Sequence, residues 1–185
     1  MSRGRSVPHF EYVDLQNVRS CFFDERSHRA YLKIPFLGDR GTRTLCVIGQ
    51  NPSAADEREA DKTIRYLEEL VFSRLPEYRQ IIVLNLYSQV DTSKTEDAPP
   101  LHLECARIFG GILADESDFL VVFGKLENRR HYKFQDRARE IEPLLRSKRV
   151  FKLDVGTLYA PHPGNSKIIY SNYNLGFAPY TFSDV

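Results

Sequence analysis

Four short apolar runs punctuate the chain: Leu45-Cys46-Val47-Ile48, Ile81-Ile82-Val83-Leu84, Phe119-Leu120-Val121-Val122-Phe123 and Val150-Phe151-Lys152-Leu153. Each is too short for a membrane span and too continuous for a strand with one wet face, so each predicts a buried strand. Between the first two runs, Ile64, Leu67, Val71 and Leu75 recur at steps of 3, 4 and 4 residues, predicting an amphipathic helix from about Lys62 to Leu75. Leu103, Ala106, Phe109, Ile112 and Leu113 mark a second helix, weakened in its middle by Gly110-Gly111. A third spans roughly Tyr132 to Arg146 and is shortened or bent at Pro143. Strands alternating with helices predict an α/β fold, a three-layer α/β/α sandwich around a four-stranded parallel sheet with right-handed crossovers. Upstream, Cys21-Phe22-Phe23 and Ala30-Tyr31-Leu32-Lys33-Ile34 flank the polar Asp24–Arg29 stretch and predict an antiparallel hairpin over an edge or face of that sheet. Residues 1–20 read as an N-terminal arm and 21–185 as a single domain, with the polar, proline-bearing Asp91–Pro100 stretch as a loop.

Composition narrows the class. A chain of 185 residues with 42% hydrophobic content suffices for one domain with a substantial core. No run reaches the length of a membrane span, and Met1-Ser2-Arg3-Gly4-Arg5-Ser6 leads into no apolar signal core, so the expected location is cytoplasmic, away from membranes. Cys21, Cys46 and Cys105 are odd in number and scattered, which suggests neither a disulfide framework nor a zinc site. The net charge is only +1, yet ten basic residues face four acidic ones between Lys125 and Lys152. Such a segment tracks phosphates, or is a solvated helix face.

The candidate chemistry lies where the strands end. The first run breaks into Gly49-Gln50-Asn51-Pro52-Ser53, the second into Asn85, the third into Gly124-Lys125, and after the fourth comes Ala160-Pro161-His162-Pro163-Gly164-Asn165-Ser166. In a parallel sheet these polar ends share one edge, where open α/β folds bind their ligands. Turn chemistry alone also accounts for Gly, Asn and Pro in such a connection. Asp56, Glu57, Glu59 and Asp61 offer either a hard-metal cluster or helix capping, with capping favoured.

Asn51-Pro52-Ser53-Ala54-Ala55-Asp56, Asp61-Lys62-Thr63-Ile64-Arg65 and Asn85-Leu86-Tyr87 resemble the pattern of domain-of-unknown-function family 1643, over most of residues 21–176. The Gly-x-Asn-Pro turn, strand-ending Asn, Phe-Gly strand end and His-Pro loop, in that order, also resemble the uracil-DNA glycosylase superfamily. That resemblance implies a sheet order of 2-1-3-4 and a hydrolase of the DNA-repair kind, without cofactor or metal, recognising and excising a nucleobase. It casts Asn51 as the residue that positions water and His162 as the donor to the departing base. Asn85 would read the base edge, since a carboxamide offers both a donor and an acceptor. Gly49, Gln50 and Ser53 would contact the base or a phosphate; no motif marks the aromatic that stacks on the base, for which Tyr66 and Tyr87 are candidates, each read more readily as a core or boundary aromatic. Lys125, Arg129, Arg130, Asn165, Ser166 and Lys167 would meet the nucleic acid. Lys167-Ile168-Ile169 stands where a wedge would enter the duplex, although Ile168-Ile169-Tyr170 reads equally as a short buried strand.

Two departures bear on activity: no Tyr-His follows Pro52, and the His162 loop continues Gly-Asn-Ser-Lys instead of Pro-Leu-Ser. The alternatives are a non-catalytic nucleotide or nucleic-acid binding module and, more weakly, a metal-assisted nucleotide hydrolase using Asp56 and Asp61. No phosphate-binding Gly-x-x-x-x-Gly-Lys loop is present. The partner expected is a nucleic acid or nucleotide; the oligomeric state is open.

Overall fold

The computed structural model describes residues 6–90, 100–129 and 131–182. In chain order the elements are β1 (Val7–Pro8), β2 (Arg19–Phe23), β3 (His28–Pro35), β4 (Arg43–Gly49), β5 (Glu59–Ala60) and α1 (Lys62–Arg74). They continue as β6 (Tyr78–Asn85), α2 (Leu103–Asp115), β7 (Asp118–Val121), α3 (Phe134–Leu145), β8 (Arg149–Asp154), α4 (Ser166–Ile169) and β9 (Gly176–Pro179).

The main sheet has seven strands in the order β2-β3-β6-β4-β7-β8-β9. Its pairings are mixed: β6-β4, β4-β7 and β7-β8 are parallel, whereas β2-β3, β3-β6 and β8-β9 are antiparallel. The expectation of a four-stranded parallel sheet in the order 2-1-3-4 is thereby corrected, because β2, β3 and β9 add antiparallel strands at its two edges. Of the edge and face offered for the hairpin, it takes the edge: β3 pairs with β6 as a further strand, with Leu32 opposite Val83 and Ile34 opposite Ile81. At the far edge Gly176–Pro179 returns beside β8, a four-residue strand without apolar alternation that periodicity could not announce. A separate two-stranded ladder joins β1 to β5.

Both faces of the sheet are covered, as the continuous runs require. Along β4, Leu45 and Val47 enter one core with Ile64, Leu67, Leu70 and Val71 of α1. Cys46 and Ile48 enter another with Phe109 and Leu113 of α2 and Phe134, Ala138 and Ile141 of α3. Asp61 caps α1 by accepting the Ile64 N–H at 2.8 Å. At the other end Arg40 donates to the carbonyls of Val71, Phe72 and Leu75. The N-terminal segment is packed as well: Val13 and Val18 are core residues, and His9 is paired with Glu68 of α1 inside the protein.

One local expectation changes. Ser166–Ile169 is a short helix, not a strand, with Asn165 accepting the Lys167 N–H at 2.9 Å as its cap. Ile168 is buried in the first core, while Ile169 and Tyr170 are exposed.

Candidate functional site

Because β4, β6, β7 and β8 run parallel, their carboxyl ends meet at one edge, and there a cavity of about 430 Å³ opens. Volumes of this order are those of small-molecule sites. Gly49, Gln50, Asn51 and Ser53 line it beside Asn85, Gly124, Lys125 and His162, over a floor that includes Val47, Val83 and Leu67. Three backbone or amide links hold the loops together. The Leu86 N–H donates to Gly49 O at 2.9 Å and the Gln50 amide to Lys125 O at 3.2 Å. The Gly124 N–H donates to Ala160 O at 2.8 Å.

Each polar side chain is oriented by a specific contact. The Asn51 amide donates to Gln89 O at 3.4 Å, while its Oδ1 is buried without a hydrogen-bond partner among the described residues. Such an acceptor sits at a cost unless a ligand or water supplies a proton. Gly49 lets Asn85 come close: a Cβ there would lie 2.9 Å from Asn85 Nδ2. Gly124 adopts φ +71°, and a Cβ there would stand 3.3 Å from the His162 Cβ. The Gly164 N–H donates to His162 Nδ1 at 2.9 Å, which leaves the proton of a neutral ring on Nε2.

Arg29 is the residue that sequence reasoning missed. It lines the cavity at 2% exposure and donates to Ala55 O at 2.8 Å, to Ser53 O at 3.4 Å and to Asn85 Oδ1 at 3.5 Å. Burial pulls its pKa down to about 10, against the opposing charges of Asp61 and Asp56. It was missed because it closes the polar Asp24–Arg29 stretch and reads as turn, whereas β3 already begins at His28, and a β-bulge then sets the face it takes. Cys21 pairs with Tyr31 but Phe22 with Arg29, so Ala30 is an extra residue and side-chain parity reverses. Leu32 faces the α1 side and Tyr31 the other; after the bulge Arg29 shares the Leu32 side, where simple alternation would not put it.

Other expected residues lie elsewhere. Tyr66 is buried against Tyr173, ring centroids 4.9 Å apart. Tyr87 is buried edge-on to Tyr132 and Phe134, its hydroxyl accepting the Lys133 N–H at 2.9 Å. Neither lines the cavity, nor do Arg129, Asn165, Ser166 or Lys167. Arg130 lies outside the described residues. Much of the basic segment is internally engaged: Lys125 and Arg129 share Glu127, Arg149 holds Asp118, and the buried Lys152 ammonium donates to the Leu158 carbonyl. The acidic cluster serves the fold. Besides the Asp61 cap, Asp56 accepts the N–H groups of Arg58 and Glu59, and Glu57 accepts the Ser20 N–H. Among the described residues, no group of three or more His, Cys, Asp and Glu could hold a metal ion.

A family model described as "Protein of unknown function (DUF1643)" matches residues 31–163. The chain belongs to that family. No curated protein and no solved structure matches this DUF1643 chain. The family segment contains Asn51, Asn85 and His162 and begins two residues after Arg29. None of the described helices of this DUF1643 protein is long and apolar enough to cross a membrane.

Proposed function

We propose that this pocket recognises a nucleobase and, as a glycosylase-like hydrolase, excises it from a nucleotide or nucleic acid. The observation that carries the reading is the common cavity of Asn51, Asn85 and His162, with an unpartnered Asn51 Oδ1. Cleaving an N-glycosidic bond builds positive charge on the sugar and negative charge on the base. Asn51 orients the attacking water through Oδ1, Asn85 reads the base edge, and the Nε2–H of His162 meets the oxygen where charge develops.

One observation favours a second reading, a binding module without catalysis. The group at the water position is an amide, which accepts a hydrogen bond but takes no proton as a carboxylate would.

One experiment separates them. Oligonucleotides carrying uracil, hypoxanthine, thymine mismatches or hypermodified bases are incubated with wild type, Asn51→Ala and His162→Ala, and single-turnover base release is measured. The hydrolase reading expects each substitution to slow release by roughly 10²–10³-fold while melting temperature holds. Unchanged release in both variants removes them from the mechanism, and binding without release from any substrate moves the assignment to the binding module.

A further inference from the structure

Arg29 carries a consequence beyond base recognition. A guanidinium has five N–H donors. Here two nitrogens reach neutral acceptors on Ser53, Ala55 and Asn85, and the buried Nε–H has none among the described residues. Among the described residues, no carboxylate lies within ion-pair distance of it. Asp56 is turned to Arg26, and Asp61, which also lines the cavity, is held as the cap of α1. Lys125, the other cation of the lining, is exposed and paired with Glu127 at 3.3 Å. Arg29 remains protonated at neutral pH despite its burial. A cation withdrawn from water without a contacting counter-charge is costly unless something else neutralises it.

We propose that the cavity is an anion site: its ligand seats a negatively charged oxygen group against Arg29. Guanidinium recognises such groups well because its donors form a planar fork. The charged group belongs either to an acidic substituent of the base or to a nucleotide phosphate. The remainder of the ligand rests on the nucleobase reading above; the anion itself does not.

The test is isothermal titration of the full chain with two matched pairs, uracil against carboxyuracil and uridine against uridine monophosphate, and with inorganic phosphate alone. The charged member of at least one pair is expected to bind about tenfold or more tightly than its neutral counterpart. Preference in the first pair identifies an acidic base; preference in the second, with free phosphate competing, identifies a phosphate. Arg29→Gln should erase the preference, and Arg29→Lys, which keeps the charge, should retain part of it. Equal binding within both pairs, no binding by any charged member, or a preference undiminished in Arg29→Gln overturns the anion site. The wild-type comparison decides even where a variant folds poorly. Phosphate binding as tightly as uridine monophosphate, with no response to uracil or uridine, keeps the anion site and removes the base reading. Uracil binding as tightly as carboxyuracil, and uridine as uridine monophosphate, does the reverse.

Discussion

A Cβ added at Gly49 would meet only the far end of Asn85, so the fold can absorb it while the site cannot. Gly49→Ala is therefore expected to keep its melting temperature and to weaken ligand binding by about tenfold, the scale of one displaced hydrogen-bonding reader. Calorimetry with the best ligand of the pairs above checks both halves; undiminished affinity would show that Asn85 does not read it. Gly41 is the opposite case, because a Cβ there would lie 2.2 Å from the backbone oxygen of Glu77. Gly41→Ala should destabilise by about 1–3 kcal/mol without acting on the pocket directly, measured by denaturant melts. At this scale the sequence showed Asn51, Asn85 and His162 because each follows a buried run directly or sits in a proline loop. Tyr66 and Tyr87 looked equally eligible, since nothing in a residue's type says which way a buried ring turns.

Among elements, the attachment of the N-terminal segment to α1 answers to pH through His9. Burial opposes charge on His9, but the Glu68 carboxylate and the Asp56 carbonyl outweigh it, so its pKa is raised above 6.5. A group with a raised folded pKa contributes stability that is complete below its unfolded value and disappears as pH climbs through the folded one. The melting-temperature gap between wild type and His9→Gln should therefore be widest near pH 5.5 and narrow steadily above about pH 7. A gap that stays constant across the range would mean that His9 acts by packing alone. Helices and central strands were legible because burial on both faces forces continuous apolar runs, and because α1 has a single apolar stripe. β9, β5 and the helix at Ser166–Ile169 were not, being two to four residues long and dictated by what they dock against.

For the whole molecule, the local excess of basic residues overstates the charge available to a polyanion. Lys125 and Arg129 both spend theirs on Glu127, whose own pKa is lowered by those two bonds. If single-stranded nucleic acid approaches the pocket over this rim, Glu127→Gln frees both cations and steepens the slope of log affinity against log salt by about one to two. A slope identical to wild type would place the polymer elsewhere. The mixed sheet illustrates what a pattern of apolar runs leaves undetermined: it locates strands but not the direction in which short neighbours add to their edges. Ala30 exposes a related blind spot, since chemistry and count are separate variables in a strand. Exchanging it for another small residue alters fit. Removing it would close the bulge and leave Arg29 beside Tyr31, still on the Leu32 side, whereas pairing it as an ordinary ladder residue would carry the Arg29 charge to the α2–α3 side of the sheet and away from the cavity. Position 30 thus acts through its exclusion from the ladder, rather than through its side chain, in deciding which compartment of the protein is electrically positive.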